Sequence, residues 1–141
     1  HIGFVFQFHN LLPEFTALEN VLIPCMIGGT TWPAAAARDK AAHLLDRVGL
    51  GQRLTHRPGE LSGGECQRVA VVRALMMDPD LVFADEPSGN LDAQASQRLH
   101  DIIVDLAHSE RQTFMVMTHD QELAAKFDRS GYLEGGLLKL N

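Results

Sequence analysis

The chain has 141 residues, with 18 acidic against 12 basic side chains and a formal net charge of −6 at pH 7, so it shows no electrostatic footprint for nucleic acid. Its length suits one domain with a modest core, and no apolar stretch reaches the length of a membrane span, since Val21 to Ile27 is short and holds Pro24. Cys25 in an apolar stretch and Cys66 in the first turn of a helix make no disulfide framework, and a reducing compartment fits best.

In chain order, Ile2 to Phe6 is a short apolar run that reads as a strand ending at Gln7, and His9 to Phe15 reads as a loop. Thr16 and Glu19 form a capping box that opens an apolar helix, which Pro24 should kink and Gly28-Gly29 should end. An alanine-rich helix spans Ala34 to Val48, with Gly49 as its stop, and Gln52 to Glu60 is a polar connection. Ser62 opens the next helix, which closes at Asp78-Pro79; Leu81 to Ala84 is an apolar strand that runs into Asp85-Glu86. Asp92 caps a helix that carries Ile102, Ile103 and Leu106 inward. Thr113 to Thr118 is another apolar strand, ending at His119-Asp120, and a helix around Gln121 to Phe127 follows. Gly131 to Leu140 reads as a hairpin turning at Gly135-Gly136.

Two of these stretches carry chemistry. In Leu61-Ser62-Gly63-Gly64-Glu65 the serine is a good N-cap, Glu65 closes a capping box, and two glycines leave backbone N–H groups uncovered at the positive end of the helix dipole. That end suits an anion such as phosphate. In Leu81-Val82-Phe83-Ala84-Asp85-Glu86 four apolar residues precede two carboxylates, as in a buried parallel strand whose carboxyl end faces a ligand. Alone, a Ser-x-x-Glu box is usually only a helix start, and an Asp-Glu pair is often a strand entering a turn. Together and in this order they suggest a nucleotide with its metal.

Three apolar strands each end in a polar group: Gln7, Asp85-Glu86 and His119. If the strands are parallel with right-handed crossovers, these groups gather on one edge of one sheet, where they can surround a metal–triphosphate.

The motifs resemble those of the ATP-binding cassette (ABC) transporter ATPases along essentially the whole chain. Phe6-Gln7 is similar to the glutamine loop, Leu61 to Glu65 to the signature and Leu81 to Glu86 to Walker B. Pro87-Ser88-Gly89-Asn90-Leu91-Asp92 is similar to the D-loop, and Thr118-His119-Asp120 to the histidine switch. The fold implied is α/β: a P-loop NTPase (RecA-like) parallel-sheet core with an inserted helical signature subdomain. Residues 8–78 would be the mostly helical subdomain, and 1–7 with 79–141 the core sheet and its flanking helices. The resemblance implies ATP and Mg²⁺ as cofactors. It assigns Gln7 and Asp85 to the metal, with Asp85 acting through a bound water. Glu86 becomes the general base that activates the attacking water, and His119 a hydrogen-bond donor to the γ-phosphate. Ser62, Gly63, Gly64 and Glu65 would bind the nucleotide held by an opposite subunit, and Asp92 would couple the two sites.

The pattern also departs from the family. No Gly-x-x-x-x-Gly-Lys-Ser/Thr is present, so the Walker A loop, which the family places upstream of the glutamine loop, is missing. The chain opens at His1, and the expectation is a C-terminal fragment, truncated in mid-domain and inactive alone. Cys66 stands where the family more often has a polar or charged residue. Residues Gln7 to Val21 and the Ser-Gly-Asn-Leu-Asp form of the D-loop look like the ATPases of bacterial lipoprotein-releasing exporters, and the D-loop also like relatives in macrolide export and cell division. The implied function is ATP hydrolysis that energises export or release of a substrate such as lipoproteins. The implied partners are a second nucleotide-binding subunit, head to tail, and an integral membrane permease; the implied place is the cytoplasmic face of the inner membrane. Phe8, Leu11, Leu12 and Phe15 either face that permease or plug the local core. Two alternatives compete. A chromosome-maintenance ATPase would need long heptads before the signature, and none occurs between Gln7 and Ser62. A non-catalytic regulatory module fits poorly with an intact Glu86 and His119.

Overall fold

A computed structural model describes residues 1–28 and 31–141. Strand β1 (Ile2–Val5) is followed by helices α1 (Ala17–Gly28), α2 (Ala34–Arg47) and α3 (Gly63–Leu75), the last preceded by a single 3₁₀ turn, Pro58–Glu60. Then come β2 (Leu81–Asp85), α4 (Ala93–Ser109), β3 (Phe114–Met117), α5 (Gln121–Ala124), β4 (Gly131–Glu134) and β5 (Leu137–Leu140). The anticipated stop at Gly28-Gly29 falls partly outside the described residues.

The helix starts follow local chemistry. At α1 the Glu19 N–H donates to Thr16 Oγ1 at 3.2 Å and the Thr16 N–H to Glu19 Oε2 at 2.8 Å, a reciprocal box. At α3 the same exchange joins Ser62 and Glu65, and at α4 the Asp92 side chain accepts from the Ala95 N–H. Helix α2 ends at Val48, with Gly49 beyond it at φ 76°. Helix α5 is shorter than the sequence predicts. The N–H groups of Lys126 and Phe127 bond back three residues rather than four, so the last turn tightens and the α-helix stops at Ala124.

Strands β1, β2 and β3 form one parallel sheet in that order, with Phe4 beside Phe83 and Asp85 beside Met117. Helix α3 is the centre of the core. It contacts α1, α2, α4 and β1, and four consecutive residues, Val69 to Val72, are fully buried, as a helix apolar on every side requires. Val5, Val82 and Ala84 bury one face of the sheet. The opposite face carries Ile2, Phe4, Phe83, Met115 and Met117, of which Ile2, Phe4 and Met115 are at least half exposed. Among the described residues β3 pairs on one side only, with β2. On β3, Phe114 and Val116 turn toward the core and are half-buried, while Met115 and Met117 are exposed.

The hairpin β4–β5 is separate and antiparallel, pairing Glu134 with Leu137. Its two-residue turn places Gly135 at φ 57° and Gly136 at φ 80°, the left-handed pair a type I′ turn demands. On α4, Ile103 and Leu106 are buried as expected and Ile102 is half-buried, but the same stripe also buries His100.

Candidate functional site

Gln7 follows β1, Asp85 ends β2, Glu86 comes next, and His119 lies two residues beyond β3. With all three strands parallel, these residues share the carboxyl edge of the sheet, the edge at which open α/β sheets bind ligands. Glu86 is the distorted point. Its N–H still donates to the Met117 carbonyl at 2.9 Å, continuing the β2–β3 ladder, yet its φ is 44°. A non-glycine residue held in the left-handed region stores strain, a feature that clusters at functional sites. Its carboxylate Oε1 accepts from the His119 backbone N–H at 3.0 Å and contacts the imidazole Nδ1 at 2.8 Å. The hydrogen bond and charge of Glu86 raise the pKa of His119 above the ordinary 6.5. The His119 side chain is 84% exposed, so this pair stands open to solvent.

The loop after β1 is tied down twice. Gln7 Nε2 donates to Asn90 Oδ1 at 3.1 Å, and Asn90 Nδ2 returns a bond to the Gln7 carbonyl at 3.3 Å. Farther along, buried Asn20 accepts from the Leu12 N–H at 2.8 Å and donates to the carbonyls of Leu12, Phe15 and Thr16. Arg73 on α3 spans the carbonyls of His9 and Asn10 at 2.7 and 2.9 Å. Of the four apolar residues in this loop, Leu11 is buried and Phe15 half-buried, while Phe8 and Leu12 are exposed. The loop therefore both plugs the core and presents an apolar surface.

The signature end of α3 is built elsewhere. Ser62 Oγ accepts from the Glu65 N–H, and the Glu65 carboxylate accepts from the Ser62 N–H and lies 3.5 Å from Arg53. Gly64 lets α3 approach α4 closely, because a Cβ there would lie 3.1 Å from the Ala95 Cβ at the start of α4, and the helices would have to part slightly. A Cβ at Gly63 would meet Leu91 at an ordinary 3.7 Å. Ser62, Gly63, Gly64 and Glu65 thus gather beside Leu91, Asp92 and Ala95. Gln7, Asp85, Glu86 and His119 form the other group, and Asn90 in the connecting loop touches it through Gln7.

Comparison with known proteins decides the family. The sequence profile of the ABC transporter family matches residues 1–89. The lipoprotein-releasing system ATP-binding protein LolD of Pseudomonas syringae pv. tomato is 56% identical over 137 residues, covering 97% of this chain and 60% of that protein. LolD of Cytophaga hutchinsonii is 53% identical over 138 residues, covering 98% and 62%. The ABC transporter cassette MJ0796, in a dimeric post-hydrolysis state bound to ADP and Pi, superposes with a TM-score of 0.79 at 36% identity, over 96% of this chain and 59% of that one. The chain belongs to the ABC transporter family. It spans about three fifths of the length of the relatives it matches.

For an ABC transporter chain, the donor set fits one side of a magnesium–nucleotide. Asp85 presents an exposed carboxylate at the strand end, with Glu86 beside it. Among the described residues no three of His, Cys, Asp and Glu cluster as a metal cage, and Mg²⁺ characteristically keeps water and substrate phosphates with only one or two carboxylates. Two residues of the site escaped the sequence reading. Gln67, buried on α3, donates from Nε2 to the Phe6 carbonyl at 2.7 Å and so fixes the strand end from which Gln7 departs. A polar residue inside the apolar run of this helix was its only signal. The other is His100, buried beneath the loops that carry Glu86 and His119.

Proposed function

We propose that the protein carrying this chain is the ATP-hydrolysing subunit of an ABC transporter that energises lipoprotein release. The observation that carries the activity is the Glu86–His119 pair, held at a strained turn next to Asp85 on the carboxyl edge of the sheet. The identity to LolD proteins over nearly the whole chain supports the lipoprotein assignment. Within the cassette, residues 8–78 are the helical signature subdomain, and 1–7 with 79–141 the core.

Bound ATP with Mg²⁺ supplies the phosphoanhydride bond and the charge that stabilises its cleavage. Asp85 and Gln7 are the residues that would hold Mg²⁺, which would supply charge stabilisation at the phosphates. Glu86 orients the attacking water and accepts its proton. His119, kept protonated more readily by Glu86, donates toward the γ-phosphate. Ser62, Gly63 and Gly64 present the N-terminus of α3 to a nucleotide held by a second subunit, and Glu65 fixes that end through the capping box. Asp92, which caps α4 beside the signature, couples the two sites. The partners are a second such subunit, as in the dimeric MJ0796 cassette, and an integral membrane permease met by the exposed Phe8 and Leu12. The acidic balance offers nucleic acid no electrostatic footprint. Among the described residues no helix is long and apolar enough to cross a membrane. The likeness to LolD proteins supports a peripheral place beside the permease, on the cytoplasmic face of the inner membrane.

The test is Glu86→Gln in the full-length protein. Hydrolysis should fall by about 10²–10⁴, the usual cost of losing a general base, while ATP-driven dimerisation persists. Near-normal turnover would remove Glu86 from the role of base.

A further inference from the structure

Beneath the Glu86–His119 pair lies a second tie between the same two loops. Ser88 follows Glu86 by two residues, and the loop between is closed by the Gly89 N–H bonding to the Glu86 carbonyl at 3.0 Å. The Ser88 hydroxyl lies 2.7 Å from His100 Nε2, and the histidine is 2% exposed. On its other side, His100 Nδ1 is 3.8 Å from Asp120 Oδ2. Asp120 immediately follows His119, and its Oδ1 accepts the N–H groups of Glu122 and Leu123 at 2.8 and 3.1 Å, which locks the carboxylate in place. One imidazole on the rigid helix α4 therefore faces both loops that carry the reacting pair.

A histidine at this position of an amphipathic helix would cost less stability as a leucine or phenylalanine, because a buried polar group gains only what its hydrogen bonds return. Its neighbours in the stripe, Leu99, Ile103 and Leu106, are apolar. Its geometry gives it a use that an apolar side chain cannot serve. The Ser88 hydroxyl meets Nε2 at 2.7 Å, and Nδ1 faces the Asp120 carboxylate at 3.8 Å, so one imidazole contacts one loop by a hydrogen bond and the other by charge.

Building on the ATPase reading above, we propose that His100 is a positioning residue that aligns Glu86 with His119 through Ser88 and Asp120. His100 is buried beneath the exposed edge that carries Asp85 and His119, so its effect falls on the chemical step rather than on binding.

The experiment uses the full-length protein and two readouts. Replacing the imidazole in His100→Phe should lower kcat by about 10- to 100-fold, as expected when a catalytic group moves by about 1 Å, with KM for ATP unchanged. It should also lower the NMR titration midpoint of His119, because the Glu86 contact that raises it is loosened. In His100→Gln, whose amide can still meet the Ser88 hydroxyl, most of kcat and of the His119 midpoint should return. Ser88→Ala, which leaves the histidine in place, should reproduce the loss if His100→Phe does not fold. Equal kcat losses in the Phe and Gln variants with an unmoved His119 midpoint would reduce His100 to packing, and a wild-type profile in Ser88→Ala and His100→Phe would discard the proposal. A wild-type protein that hydrolyses no ATP overturns the ATPase reading instead, and the His119 titration still decides the alignment.

Discussion

At the scale of single residues, the carboxyl edge of the sheet is organised by one carboxylate, Glu86, which meets both the backbone N–H and the imidazole of His119. Because Glu86 raises the His119 pKa, the Glu86→Gln variant should bring the His119 NMR midpoint back toward 6.5, and an unchanged midpoint would mean the contact is not formed in solution. A raised pKa makes this pair stabilising below the unfolded value, with the benefit lost as pH rises through the folded one. His119 is 84% exposed, so solvent screening keeps that benefit small. His100 has the opposite sign. Burial is the main cause that lowers its pKa below 6.5, with Lys126 adding to it against the opposing charges of Asp120 and Asp101. The unfolded chain then binds a proton more readily than the folded one, so stability is intact above the unfolded value and drains away as pH falls toward the folded one. Urea midpoints taken at about pH 7.5 and about pH 5.5, on either side of the ordinary histidine range, should separate in the wild type and separate less in His100→Phe, where His9, also held below 6.5 by burial and Arg73, still contributes. Parallel shifts in both proteins would show that His100 is not the titrating group.

At the scale of elements, the sequence was legible wherever a feature is local. Capping boxes at Thr16 and Ser62, the Asp92 cap, the Gly49 stop and the Gly135-Gly136 turn each depend on a few neighbouring residues, and each is present. The strands were legible as apolar runs, and their parallel pairing as what right-handed crossovers and the ABC resemblance implied. What the sequence hid is long-range. The bond from Gln67 to Phe6 joins residues 61 apart, and nothing in either segment announces the other. His100 sits at a helical core position, where pattern alone expects an aliphatic side chain. Strand register was hidden too, since a period of two fixes alternation but not which set faces inward. The Ser62 box also gives a prediction. Ser62→Ala should destabilise the fold by about 1 kcal/mol through loss of the N-cap, read as a lower urea midpoint. An unaltered midpoint would show that the Glu65 half of the box suffices.

At the scale of the whole molecule, the sheet has an apolar face and an open edge on the same side of the core. Parallel sheets are ordinarily covered on both faces, yet Ile2 is 58%, Phe4 50% and Met115 51% exposed. Strand β3 adds a free ladder edge among the described residues, and such an edge recruits further strands. In the relatives, about two fifths of the length lies outside the matched region, so this polypeptide on its own should lack what covers the face. The 141-residue chain produced by itself should therefore bind ATP weakly, hydrolyse none and self-associate through β3 and the Ile2–Phe4–Met115 face. Calorimetry with Mg-ATP tests the first two outcomes; micromolar binding with matching turnover would contradict them. Light scattering tests the third. Met115→Lys, which places a charge in the middle of the bared face, should shift the assemblies toward monomer, since a buried unpaired charge is costly. A wild-type chain that is already monomeric and melts cooperatively at an ordinary mesophile temperature would show that the sheet is stable with that face in water.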